Sequence, residues 1–154
     1  MKLTVKIFVL PALLTVLLTY SGCDNSKPPA PSDEEVQLGK LSKTWKNPSV
    51  KKDGVDQTGY TNFTLKLEGV VGATSYGYAT TGRPALSPWL SSGNWTFDTD
   101  VLTSIIRDKG TADELKMTYT VTETTLQMTF TFNGAGYAAR VGNVKGTWIM
   151  TFGL

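Results

Sequence analysis

The 154-residue chain contains no histidine and only one cysteine, Cys23. Without histidine, Ser-His-Asp and Cys-His catalysis and every His-containing zinc site are excluded. A single cysteine permits neither an intrachain disulfide nor a thiolate cluster. Net charge is equally scarce, at Lys+Arg 15 against Asp+Glu 13. Lys2 and Lys6 lie in an N-terminal segment whose composition predicts removal, which leaves a neutral remainder. A neutral chain lacks the basic stripe that nucleic-acid binding requires, so no nucleic-acid partner is expected. No apolar run reaches the ~20 residues that a membrane-spanning helix needs. The length accommodates one hydrophobic core.

Lys2 and Lys6 precede a twelve-residue apolar stretch, Ile7 to Leu18, with the layout of a secretory signal. Tyr20-Ser21-Gly22-Cys23 follows and resembles the bacterial lipobox, in which small residues precede a cysteine that becomes the lipidated N-terminus. Residues 1–22 are therefore expected to be a signal peptide, and Cys23 the lipid attachment site. Residues 24–38 carry Pro28, Pro29 and Pro31 and little apolar surface, which predicts a flexible tether over 23–38. Asp33-Glu34-Glu35 reads as a solvated acidic patch, and also resembles the acidic surface-export signals of Bacteroidota lipoproteins, displaced downstream.

Beyond the tether the apolar period is two. Leu126, Met128, Phe130 and Phe132 alternate with Thr125, Gln127, Thr129 and Thr131. Leu115, Met117, Tyr119 and Val121 alternate with Lys116, Thr118 and Thr120, and Phe63, Leu65 and Leu67 repeat the pattern. Such alternation marks antiparallel strands with one buried and one wet face. It predicts strands near 41–50, 58–68, 75–81, 93–98, 102–108, 115–121, 125–132 and 144–153. No window carries a convincing helical stripe, and the nearest candidate is a short turn at Thr111–Glu114. Lys52-Asp53-Gly54 and Thr122-Glu123-Thr124 are hairpin-length connections, the first with an Asp-Gly turn signal. Short connections favour a meander, and eight meandering strands close into a barrel that leaves no exposed edge. The expected fold is thus all-β: an eight-stranded antiparallel meander barrel over 39–154. The short strands, with one face rich in Thr and Lys, argue against an outer-membrane barrel with an apolar outer wall.

Leu41-Ser42-Lys43-Thr44-Trp45 is similar to the Gly-x-Trp opening of lipocalin-type barrels, with Lys43 in the glycine's place. The stretches Tyr78 to Trp89 and Gly93-Asn94-Trp95-Thr96-Phe97, together with the closing Gly146-Thr147-Trp148, resemble the lipocalin-like lipoproteins of Bacteroidota. That resemblance covers roughly residues 38–154 and implies a calycin-type barrel and a cell-envelope address more than an activity.

Trp45, Trp95 and Trp148 follow strand pattern and are expected in the core. So are Phe63, Leu65, Phe97, Ile105, Met117, Tyr119, Leu126, Met128 and Phe130. The 82–93 connection has no strand pattern, and long connections of this kind in compact domains are often functional. It holds Arg83, Pro84, Pro88 and Trp89. Trp89 reads either as a ligand platform or lid, or as a residue tucked under the loop. Asp98-Thr99-Asp100 lacks the further ligands and glycine of a calcium loop and is expected to form a turn. Glycoside hydrolysis needs two carboxylates facing one cleft. The acids of the folded part fall at turns and strand ends, so no catalytic carboxylate is visible.

The expectation is a non-enzymatic lipoprotein of the outer membrane, with no cofactor and no metal; the sequence leaves its membrane face open, with the acidic triplet a hint of the cell surface. It would bind a small apolar or glycan ligand at the barrel mouth through Tyr76, Tyr78, Arg83 and Trp89, an aromatic shelf beside one cation. The alternative is an accessory subunit of a larger outer-membrane surface complex, with a membrane protein as partner and no small-molecule ligand.

Overall fold

The computed structural model describes residues 28–84, 87–135 and 144–154. The expected signal peptide and Cys23 lie outside the described residues. The chain divides into two compact units, 1–30 and Pro31–Leu154, and every element below belongs to the second. The order is α1 (Asp33–Leu41), β1 (Thr44–Lys52), β2 (Val55–Asp56), β3 (Thr64–Leu67), β4 (Tyr76–Thr81), β5 (Ser92–Phe97), β6 (Ser104–Arg107), β7 (Leu115–Val121), β8 (Thr125–Phe132) and β9 (Gly146–Gly153).

Each of β3 to β8 pairs antiparallel with the next strand along the chain. β1 pairs with β3 on one side and β9 on the other, through Val50↔Met150 and Lys51↔Ile149 among others. The eight long strands therefore form a closed meander barrel, with the short β2 as a flap on the end of β1. Closure follows from the pattern. Where one face is apolar at every second residue, curling the sheet on itself buries that face and pairs both edges at once.

Two irregularities shape β1. Asn47 has a φ of 47° and precedes Pro48, and the register with β9 shifts between Lys46 and Ser49. A bulge at a proline is where a ladder tolerates the missing N–H. At the end of β1, Asp53 and Gly54 both have positive φ, 50° and 81°, the backbone of the tight turn that Asp-Gly favours.

The twelve core positions expected from the alternation are all buried. Tyr60, Tyr76, Tyr78, Trp89, Phe132, Met150 and Phe152 join them in one continuous cluster. Each indole N–H finds an acceptor: Trp45 on the Leu41 carbonyl (2.9 Å), Trp148 on the Val144 carbonyl (2.9 Å), Trp95 on the Gly77 and Glu68 carbonyls (3.1 and 3.2 Å), Trp89 on the Met150 sulfur (3.2 Å). Burial of these rings thus leaves no indole donor stranded.

The tether expected over 23–38 is corrected from residue 33 onward, where the chain is helical. Ser32 caps α1: its Oγ accepts the Glu35 N–H (3.2 Å), and Glu35 Oε2 accepts the Ser32 N–H (2.7 Å). This reciprocal pair satisfies two orphan donors of the first turn. Asp33, Glu34 and Glu35 complement the positive end of the helix dipole, so the acidic triplet is also a helix start. Leu38 and Leu41, one turn apart, are buried in the barrel core cluster. The first strand consequently begins at Thr44 rather than 41. The second expected strand, near 58–68, is β3 and begins only at Thr64, because 57–63 forms an irregular connection that turns Tyr60 inward.

The strand directions define two barrel ends. One carries α1, the connections 68–75 and 98–103, the hairpin 122–124 and Leu154. The other carries the Asp53-Gly54 turn, the connection 108–114, the C-terminal ends of β4 and β8, and the N-terminal ends of β5 and β9.

Candidate functional site

The four residues expected to form a binding shelf do not line a shared open surface. Trp89 is 1% exposed. Its ring lies edge-on to Tyr78 of β4 (centroids 5.5 Å, 76°) and to Phe130 of β8 (6.1 Å, 90°). With its N–H on Met150 of β9, it touches three separate strands and occupies the barrel interior. The described part of the 82–91 connection therefore turns Trp89 inward at the end it crosses.

Arg83 is half-buried, and its Nη1 donates to the Trp89 carbonyl at 2.8 Å. It holds the loop that carries Trp89. Tyr78 is buried beside them, its hydroxyl donating to Asp108 Oδ2 at 2.8 Å. The structure thus brings Tyr78, Arg83 and Trp89 together, as partners in closing the barrel. Tyr76 stands apart, at the α1 end. It stacks obliquely on Trp95 at 4.7 Å, and its hydroxyl donates to Glu34 Oε1 at 2.8 Å. Tyr76 borders a hollow of about 240 Å³ with Glu34, Leu38, Val71 and Gly72. Burial pushes the Tyr76 hydroxyl up to about 12, with the Glu34 carboxylate adding to it. Burial likewise raises Tyr60 to about 12, and Tyr119 well above the ordinary phenol range.

Two residues of this cluster were invisible to periodicity. Arg107 and Asp108, at the end of β6, are 1% and 8% exposed. Arg107 Nη1 donates to the Pro88 carbonyl (2.7 Å), its Nε lies 3.2 Å from Asp108 Oδ2, and its guanidinium sits 5.2 Å from the Trp89 ring centroid. Asp108 also accepts the Asn94 N–H at 2.9 Å and adopts a φ of 51°. Gly93 faces this pair from β5, and a Cβ there would overlap the Asp108 carboxylate and lie 2.7 Å from the Tyr78 ring and hydroxyl. Charges are rarely buried unless paired and hydrogen-bonded, and here both conditions hold. The lone signal was a charge following Ser104-Ile105-Ile106, where all of Ile105 to Asp108 are buried and no alternation could assign a face.

Asp98 and Asp100 serve the β5–β6 turn. Asp100 accepts the Leu102 N–H (3.0 Å) and the Thr103 hydroxyl (2.6 Å), which holds its carboxyl below the usual range. The Thr99 N–H and the nearby Lys116 lower Asp98 likewise. Among the described residues no three His, Cys, Asp or Glu side chains converge on a metal position.

The class that this geometry defines is a closed, eight-stranded antiparallel barrel, compatible with a lipocalin-like fold, with a short helix at one end and an inward-turned loop at the other. No family model, characterised protein or solved structure matches the chain.

Proposed function

We propose that the protein is a non-enzymatic cell-envelope lipoprotein, held in the outer membrane through Cys23, whose barrel acts as the docking body of an accessory subunit in a larger surface complex. The carrying observation is the position of Trp89. A barrel of eight strands is just wide enough to fill with side chains or to hold one small ligand. Here the chain's own indole takes the interior between Tyr78, Phe130 and Met150, with two arginines fastening the loop behind it. A body filled in this way offers partners its outer wall and ends. Native electrophoresis of the detergent-extracted protein tests the reading. Migration as a defined assembly larger than the monomer is expected. A monomer that carries a bound small molecule in native mass spectrometry would overturn it. Anchoring is tested by lipid labelling, which should vanish in Cys23→Ala.

A second reading rests on the buried Arg107–Asp108–Tyr78 group. A buried ion pair is weak evidence for stability, because hydrophobic replacement is often neutral or better. Its presence beside the inward loop favours capture of a small apolar or glycan ligand at the barrel mouth. Such a ligand would displace Trp89 and take over the hydrogen bonds that Arg107 gives to Pro88. Loss of Trp89 burial on adding a ligand would select this reading.

A further inference from the structure

Six large apolar side chains lie exposed among the described residues, and five of them gather at the α1 end of the barrel. Val70 and Val71, 73% and 60% exposed, tip the β3–β4 connection; Leu102 projects from the β5–β6 connection; Leu154 follows β9; Val36 lies on α1. Among the described residues only Val55 of these belongs to the opposite end. Clustered exposed apolar residues mark contact surfaces, whereas single ones need no explanation.

α1, the first described element of the barrel unit, lies at this same end. α1 is seated there by Leu38, packed close to Gly69, and by the Tyr76–Glu34 hydrogen bond. Ten residue steps separate Asp33 from Cys23, a reach of at most roughly 35 Å. We infer that this end rests on a lipid surface, with Val70, Val71 and Leu102 entering the interface; the inference rests on the lipid-anchor reading above. Each apolar tip binds a bilayer weakly by itself. A short tether offsets this, since it holds the domain at an effective concentration in the millimolar range.

Charge selects the lipid. Asp33, Glu34, Glu35 and Asp100 stand at this end with Lys40 of α1, while Lys43 is paired with Glu123 at 3.1 Å, Lys66 with Glu68, and Lys116 with Asp98 at 3.4 Å. An acid-rich rim is repelled by anionic head groups, so the surface it fits is zwitterionic.

The test uses the full-length lipoprotein extracted from membranes, with acylation read by intact mass. An acylated Cys23 leaves an introduced cysteine as the sole thiol. An environment-sensitive fluorophore is placed at Val71→Cys or Leu102→Cys, and for comparison at Val55→Cys or Lys109→Cys. In phosphatidylcholine–phosphatidylethanolamine vesicles the first two should brighten about twofold or more over the controls, as expected when apolar surface enters an interface. Adding phosphatidylglycerol should reverse the gain. Equal signals from both ends would overturn the inference. So would shielding of 71 and 102 in native envelopes but not in vesicles, which would put a protein partner on this end. A mass without acyl chains would strike the anchoring reading alone. Cys23→Ser chains held on chelating lipid by an N-terminal histidine tag would then still decide which end meets the bilayer.

Discussion

Truncating Trp89 to alanine should destabilise the barrel strongly. An indole buries about 200 Å² of surface, worth roughly 5 kcal/mol at ~25 cal/mol per Å², of which the alanine methyl retains about 1 kcal/mol. The two edge-on ring contacts, with Tyr78 at 5.5 Å and Phe130 at 6.1 Å, are lost along with the Arg107 guanidinium contact at 5.2 Å. Neighbouring strands can partly relax into the space, which keeps the net cost at about 3–5 kcal/mol, the usual range for a buried tryptophan. For a domain of this size that is roughly 10–20 °C in Tm. In urea, the midpoint should fall by about 2 M with an unchanged slope. Trp89→Phe keeps a ring but loses the N–H to Met150, and should cost only about 1 kcal/mol. A Trp89→Ala variant within about 1 kcal/mol of the parent would refute the reasoning, because an indole with that little effect is not filling a core.

Gly93→Ala should cost about 1–3 kcal/mol in urea titration, since its methyl would overlap the Asp108 carboxylate and crowd Tyr78. Ser32→Ala removes the α1 cap and should lose about 1 kcal/mol of stability, with a drop in helical circular dichroism. Tyr60 and Tyr76 are raised from 10.0 to about 12, so the folded state holds these protons more tightly than the unfolded chain does. Their contribution is complete below pH 10 and is lost as pH rises toward 12. The urea midpoint should fall across that window, and less steeply in Tyr60→Phe. Asp100 shifts the other way: its lowered pKa adds stability above the ordinary carboxylate range that fades as the solution is acidified. Asp100→Asn should therefore flatten the acid limb of the stability profile.

The strands were legible because burial and period coincide along them. In β7 and β8 every apolar residue of the alternation points inward, and their observed bounds equal the expected ones. The Asp53-Gly54 turn was legible because two successive positive φ values leave few residue choices. α1 was missed although its signal was present. Ser32 and Glu35 have capping-box spacing, but the helix buries only Leu38 and Leu41, too few to produce a stripe. The site was legible only as a locality. The 82–93 loop stood out by its composition, and Tyr78, Arg83 and Trp89 do meet there. Nothing in an aperiodic loop says whether a tryptophan faces out as a platform or in as a filling. Arg107 escaped notice because a charged residue at a strand end is ordinarily solvated, and its partners Pro88, Asp108 and Asp113 come together only in the fold.

Whether Trp89 fills the barrel interior is read directly by fluorine NMR of the protein carrying 5-fluorotryptophan at its four tryptophans, with the Trp89 line assigned from Trp89→Phe. The Trp89 resonance should not be broadened by a soluble paramagnetic relaxation agent and should stay in place across a panel of apolar and glycan compounds. A Trp89 line broadened by the agent, or driven to a solvent-exposed shift by one of those compounds, would contradict a Trp89-filled interior.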